Sequence, residues 1–184
     1  MIHAGTKNIH LISNHIYSNS GDSIQIVGPE QSYNPTSKNL KPAENIEILN
    51  NTLHDDRENA VDIKTARDIL VRGNRMEGYG PAATSDGEAI IIHYGAENIV
   101  VEENHITDSV AGIVVTRGSL QGKPVKNFPR NIILNHNSIE GDSGVCAAGI
   151  FVYDAKNVEI RDNVIQNCAE GISVKGTPHK TTGV

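Results

Sequence analysis

Tryptophan is absent from this 184-residue chain, which has only two Phe and five Tyr. The large aromatic side chains that usually anchor a broad globular core are therefore missing. Cysteine is nearly as scarce: Cys146 and Cys168 are too few for a disulfide-dense scaffold and leave the redox compartment open. No apolar run approaches the roughly 18 residues of a membrane-spanning helix, and the opening Met1-Ile2-His3-Ala4-Gly5 is not a basic-then-apolar leader. Positive charge is in deficit, with 16 Lys and Arg against 22 Asp and Glu and a net charge of −6. That balance argues against nucleic acid or an anionic membrane surface as a partner, and any positive site must be local.

What the chain has is repetition. The stretch Asn45-Ile46-Glu47-Ile48-Leu49-Asn50-Asn51-Thr52-Leu53 follows the pattern Asn/Asp, apolar, any, apolar, any, any, Asn, any, apolar, which recurs at 8–16, 68–76, 98–106, 131–139 and 157–165. Each copy begins with an alternating segment such as Ile46 and Ile48, the signature of a strand with one face inward. The later Asn marks a tight corner, because Asn tolerates the left-handed conformation and can bond to the backbone or to the Asn of the next coil. A short strand follows, carrying Ile16, Leu53, Met76, Ile106, Ile139 or Ile165.

Downstream of every copy comes a second alternating segment, at Ile24 and Ile26, Val61 and Ile63, Ile90 and Ile92, Ile113 and Val115, Ile150 and Val152, and Ile172 and Val174. Three strands in a coil of roughly 22 residues, repeated about six times, wind a parallel β-helix whose equivalent residues stack about 4.8 Å apart. The expected fold is all-β, one solenoid domain over 1–184, with neither the leucine spacing nor the helical segment of a leucine-rich repeat. These repeats resemble the right-handed parallel β-helix proteins of the pectate-lyase-like superfamily, over almost the whole chain. The repeat specifies fold far more strongly than activity.

The irregular connections carry more functional information. The insertions at 27–44, 77–88, 116–130 and 140–148 all flank the second alternating segment, whereas the Asn corner never lengthens. Long loops bracketing one rigid sheet are expected to wall a groove over it. On that sheet the residues between and after the inward pairs point outward. One outward column runs Gln25, Asp62, Ile91, Val114, Phe151, Ser173; the other runs Val27, Lys64, His93, Thr116, Tyr153, Lys175.

Lys64, His93 and Tyr153 thus share a line, with Asp62 beside them. A Lys next to a His disfavours the charged form of both, which is one way to prepare a base near neutral pH. The plainer alternative is a solvated polar row. The insertion from Arg117 to Arg130 includes Lys123 and Lys126 and has no acidic residue, so it is a candidate anion contact. Asp62, Glu58, Asp86 and Glu88 are candidate ligands of a hard oxygen site for Ca2+. The superfamily resemblance implies a carbohydrate-active protein working on an acidic, uronate-containing polysaccharide by β-elimination or epimerisation. In that scheme Lys64 or His93 is the base, Arg117 or Ca2+ neutralises the carboxylate, and Tyr153, Lys175, Lys123 and Lys126 contact substrate. A hydrolase would need paired carboxylates, for which Asp62 with Asp86 or Glu88 qualifies. The alternative from a different class is a noncatalytic glycan-binding or structural module of a tailspike, adhesin or surface protein.

Other expectations are structural. Ile91, Val114 and Phe151 form an apolar stripe, to be covered by the loops bearing Tyr79 or Phe128. His15 and His105 sit at equivalent surface positions, and His10, His54, His136 and His179 have no metal-ligand spacing. Cys146 and Cys168 each precede a Gly by three residues on adjacent coils, as stacked thiols or a disulfide. Neither end carries a capping helix, so the chain reads as a piece of a longer secreted, periplasmic or cell-surface protein, or as one whose ends meet a second copy or a capping partner.

Overall fold

A computed structural model describes residues 1–28, 41–120, 123–142 and 144–176. Strands are the only extended elements among them, and three parallel sheets account for nearly all of these strands. The first sheet takes Ile2–His3, Ile24–Val27, Val61–Lys64, Glu88–His93, Ala111–Thr116, Ala148–Tyr153 and Glu170–Lys175, neighbours in that order. The second stacks Lys7–Ile12, Glu44–Leu49, Arg67–Arg72, Glu97–Glu102, Arg130–Asn135 and Lys156–Arg161. The third stacks the short strands His15–Tyr17, Thr52–His54, Arg75–Glu77, His105–Thr107, Ser138–Glu140 and Val164–Gln166. The chain visits the sheets in rotation, so every pairing joins one coil to the next, as the repeat leads one to expect. One antiparallel pair, Ser119–Leu120 with Lys123–Pro124, lies inside an insertion.

The core is a narrow column. Each central coil contributes two aliphatic side chains from the second sheet, one from the third and two from the first: Ile46, Ile48, Leu53, Val61 and Ile63 in one coil, Ile99, Val101, Ile106, Ile113 and Val115 in another. Each side chain loses its water contact to the same kind of residue one coil above and below, gaining about 1.5–3 kcal/mol on burial. Among the described residues, the first and last coils have a neighbour on one side only. Ile9, Leu11, Val158 and Ile160 are accordingly half-buried, while Val164, Ile172 and Val174 are exposed.

Two asparagine ladders set the corners. At the first position of each copy, Asn8, Asn45, Asp68, Asn98, Asn131 and Asn157 all have positive φ, which explains the restriction to Asn or Asp. Their exposed side chains link coil to coil, from Asn45 Nδ2 to Asn8 Oδ1 at 2.7 Å and from Asn98 Nδ2 to Asp68 Oδ1 at 2.8 Å.

The second ladder, Asn14, Asn51, Asn74, Asn104, Asn137 and Asn163, is largely buried. Here the structure corrects the sequence reading, because the left-handed residue is the one before each Asn: Ser13, Asn50, Gly73, Glu103, His136 and Asp162. The Asn itself is needed for its amide. Asn74 Oδ1 accepts from both the Asn51 backbone N–H at 2.8 Å and Asn51 Nδ2 at 2.9 Å, and Asn74 Nδ2 donates to Ile48 O on the preceding coil and to Asn104 Oδ1 on the next. Both amide protons and the buried backbone donor are satisfied without water, which is what burial of an amide requires.

The cysteines form a disulfide joining two neighbouring coils, Cys146 to Cys168 across 22 residues.

Candidate functional site

The register places both outward columns as the alternation implies. Gln25 lies opposite Asp62, Asp62 opposite Ile91, and so on through Val114, Phe151 and Ser173. Val27, Lys64, His93, Thr116, Tyr153 and Lys175 align in the same way. Over this sheet runs a groove of about 990 Å³. Its floor is charged at one end (Asp62, Lys64, His93), apolar in the middle (Ile91, Val114, Phe151) and charged again at the other (Glu170, Lys175). Four coil steps separate Asp62 from Ser173, on the order of 20 Å. The walls come from three insertions: residues 82–86 with Glu88, then Gly118 and Ser119, then Ala147 and Ala148. Most of the fourth insertion, residues 29–40, lies outside the described residues.

The first charged end centres on Asp62, which is almost wholly buried. His93 Nε2 lies 2.8 Å from Asp62 Oδ1, Lys64 Nζ pairs with Asp62 Oδ2, and Gln25 Nε2 reaches Oδ2 at 3.4 Å. Burial alone would raise the Asp62 carboxyl, but the hydrogen bond and charge of His93, with the charge of Lys64, outweigh it and hold the group below its ordinary value. A carboxylate accepts, so His93 carries a proton on Nε2 towards Asp62. Nδ1 has no hydrogen bond among the described residues. The ring stacks on Tyr94 with centroids 3.9 Å apart, which fixes its plane.

A second polar column runs three residues upstream of the first, where sequence reasoning named only part of it. Asp22 Oδ1 accepts from the Asn59 backbone N–H at 3.1 Å and from Asn59 Nδ2 at 2.7 Å. Asn59 Oδ1 accepts from Ser85 Oγ, which is also 3.0 Å from Glu88 Oε2. Burial, then the nearby Asp62 charge, raise the Asp22 carboxyl above its usual value despite the Asn59 hydrogen bonds. Gln25 Nε2 bridges the two carboxylates, 2.7 Å from Asp22 Oδ2. The signal for Asp22 was available, since Asp22, Asn59 and Glu88 stand at one offset before Gln25, Asp62 and Ile91.

Several expected site residues lie elsewhere. Arg117 is not brought to Lys64 and His93. It is one residue past Thr116, where alternation turns the side chain off the groove, and its Nη2 pairs with the buried Asp154 Oδ2 at 3.0 Å. Its guanidinium lies 4.9 Å above the Phe128 ring, which Lys156 also approaches at 4.7 Å. Tyr153 stands in its column but outside the groove lining, parallel to Phe151 at 6.4 Å. Lys175 lines the far end, 5.3 Å over Phe151 and 3.9 Å from Glu170. Lys126 is exposed, and the Lys123 side chain and His179 lie outside the described residues.

The four carboxylates expected to hold Ca2+ do not form a cluster: among the described residues no three His, Cys, Asp or Glu side chains converge as a metal site. Asp62 is turned to Lys64 and His93, Glu58 to Thr84 and Arg57, and Glu88 to Ser85, while Asp86 is exposed. The apolar stripe is also uncovered by the expected rings. Tyr79 is fully buried with its hydroxyl 2.8 Å from Ser23 Oγ, and Phe128 belongs to the Arg117 cluster, so Ile91, Val114 and Phe151 form the groove floor.

No curated protein matches this sequence. Among solved structures, the Streptococcus pneumoniae surface protein and adhesin PfbA is similar at 11% identity and a TM-score of 0.43, over 92% of this chain and 67% of that one. Residues 2–182 match the family described as right handed beta helix region. The stacked parallel sheets and this match agree, and the chain belongs to the right-handed β-helix family.

Proposed function

We propose that the groove over the first sheet binds a carbohydrate chain and that His93 acts there as a general base on a uronate unit. The observation that carries this reading is His93 itself: a groove-lining imidazole held through Nε2 by a buried carboxylate, whose Nδ1 has no hydrogen bond among the described residues and is an acceptor in the neutral form of the ring. An imidazole oriented in this way is suited to taking a proton. The apolar floor with its Phe151 ring fits the face of a sugar, and the polar groups at both ends fit its hydroxyls.

In the reaction, the ring proton next to the uronate carboxylate passes to His93 Nδ1. In β-elimination the electron pair forms a ring double bond as the glycosidic oxygen leaves, taking its proton from water. In epimerisation a proton from water adds on the opposite face, and His93 later releases its own proton to solvent. Lys64, which shares its charge with Asp62, is the cation nearest the site and replaces Arg117 as partner for the substrate carboxylate. Elsewhere the lining holds Glu58, Asp86, Glu88 and Glu170 against Lys175, so the groove suits glycans whose carboxylates are spaced between neutral sugars better than a continuous polyuronate.

The test is incubation with a panel of uronate-containing glycans and polygalacturonate, following ultraviolet absorbance for elimination and proton exchange with D2O for epimerisation. Turnover by the parent protein that falls at least about a hundredfold in His93→Ala, with Arg117→Ala much less affected, is the expected result. A noncatalytic glycan-binding role is the second reading, favoured by the mutual pairing of Asp62, Lys64 and His93. It is established instead if glycans bind, with affinity reduced by Phe151→Ala, and none is turned over. Failure of the whole panel to bind overturns both.

A further inference from the structure

Away from the groove, on the third sheet, two histidines from neighbouring coils face each other. His15 Nε2 lies 2.7 Å from His54 Nε2, and His54 Nδ1 lies 2.7 Å from Asp55 Oδ2. The Tyr17 ring stacks on His54 with centroids 5.1 Å apart and planes within 3°. We propose that His15 and His54 form a two-imidazole chelate for a borderline divalent transition metal, Cu2+ above Zn2+, with Asp55 as its outer partner.

Three features support this. The two Nε2 atoms meet head-on, with ring centroids 4.9 Å apart; metal would replace the proton that His15 Nε2 now donates to His54 Nε2, and neutral imidazole nitrogen is a preferred donor for copper, nickel and zinc. The Asp55 carboxylate accepts the His54 Nδ1 proton, which fixes the tautomer with its Nε2 lone pair directed at His15, the outer arrangement that metal-bound histidines characteristically have. The Tyr17 stack holds the His54 ring in that plane. Metal–nitrogen bonds of about 2.0–2.1 Å require the rings to turn from this head-on contact and the two nitrogens to move from 2.7 Å to about 3 Å or more. That movement falls to the exposed His15, since Asp55 and Tyr17 hold His54. Water completes the coordination sphere. Preference for Cu2+ over Zn2+ follows from the general affinity order of nitrogen sites. Because the ligands come from successive coils, the bound metal ties the coil carrying His15 to the coil carrying His54 and stabilises their pairing.

The test is calorimetric titration with CuCl2 and, separately, ZnCl2, in protein carrying His3→Ala so that this histidine and the N-terminal amine do not bind copper together. One Cu2+ per chain is expected, with affinity at least about tenfold lower in His15→Ala and in His54→Ala and about tenfold lower in Asp55→Asn. His136→Ala, on another coil of the solenoid, should leave it unchanged. Copper should raise the thermal midpoint of the parent and not of the two histidine variants, whose circular dichroism reports whether they are folded. Absence of stoichiometric copper binding, or equal affinity in the parent and both histidine variants, overturns the proposal and leaves an imidazole–imidazole hydrogen bond only.

Discussion

His93 Nε2 and Asp62 Oδ1 lie 2.8 Å apart on neighbouring coils, both side chains nearly free of solvent, with Lys64 closing on the other carboxylate oxygen. The cluster is a structural element as well as a candidate site. Removing one member leaves a buried charge without its partner, which costs more than the intact group contributes.

Asp62→Ala is therefore expected to lower stability by about 3 kcal/mol, measured by urea unfolding at pH 7. The paired change Asp62→Ala with Lys64→Ala should cost less than the two single changes added together, because the second removes the orphaned cation. Additive effects would show that the two groups are uncoupled.

Asp22 predicts a pH dependence of the opposite sign to that of Asp62. Its folded carboxyl is raised above the ordinary 3.8, so the stability it contributes is complete below that value and lost as pH rises through the folded value. Asp62 is held low, so its contribution is present above 3.8 and lost as pH falls through its folded value. Asp22→Asn keeps a side-chain oxygen for Asn59 and removes the titration. The variant should be more stable than the parent at pH 7, with the gain shrinking towards zero as pH falls below 4. A gain that is the same at both pH values would remove titration as its cause.

The two asparagine ladders should differ sharply in what they contribute. Asn104→Ala strips acceptors from the Asn74 backbone N–H and Nδ2 inside the solenoid and should cost about 3 kcal/mol or more in urea unfolding. Asn131→Ala removes exposed hydrogen bonds and forces alanine into a left-handed position, at a cost of about 1–2 kcal/mol. Asn131→Gly should recover most of that loss. A smaller cost for Asn104→Ala than for Asn131→Ala would mean that the inner ladder is dispensable.

How much of this was legible depended on whether the responsible interaction repeats. The outward columns through Asp62 and Lys64 could be read because every coil pairs in register with the next and the strand period is two. The first Asn of each copy was visible, but its φ > 0 role was assigned to the other Asn, since both conformational tolerance and amide hydrogen bonding select the same residue type. Arg117 follows Thr116 directly in sequence, yet one step of alternation and a buried partner in Asp154 remove it from the groove. His15 and His54 are 39 residues apart, a spacing set by an insertion, so no linear pattern announces their contact.

By itself the sequence determined the coil, the rotation through three sheets, the stacking of equivalent residues and the sheet that receives the loops. Those follow from local preferences, apolar alternation and left-handed Asn positions, repeated until they reinforce one another. Only the tertiary structure decided which polar side chains cancel each other, that Lys64 and His93 share Asp62, that Asp22 sits high beside it, and that the four acidic candidates for Ca2+ do not converge. Charge pairing depends on distance and burial across coils joined by loops of unequal length, and neither is a property of spacing along the chain.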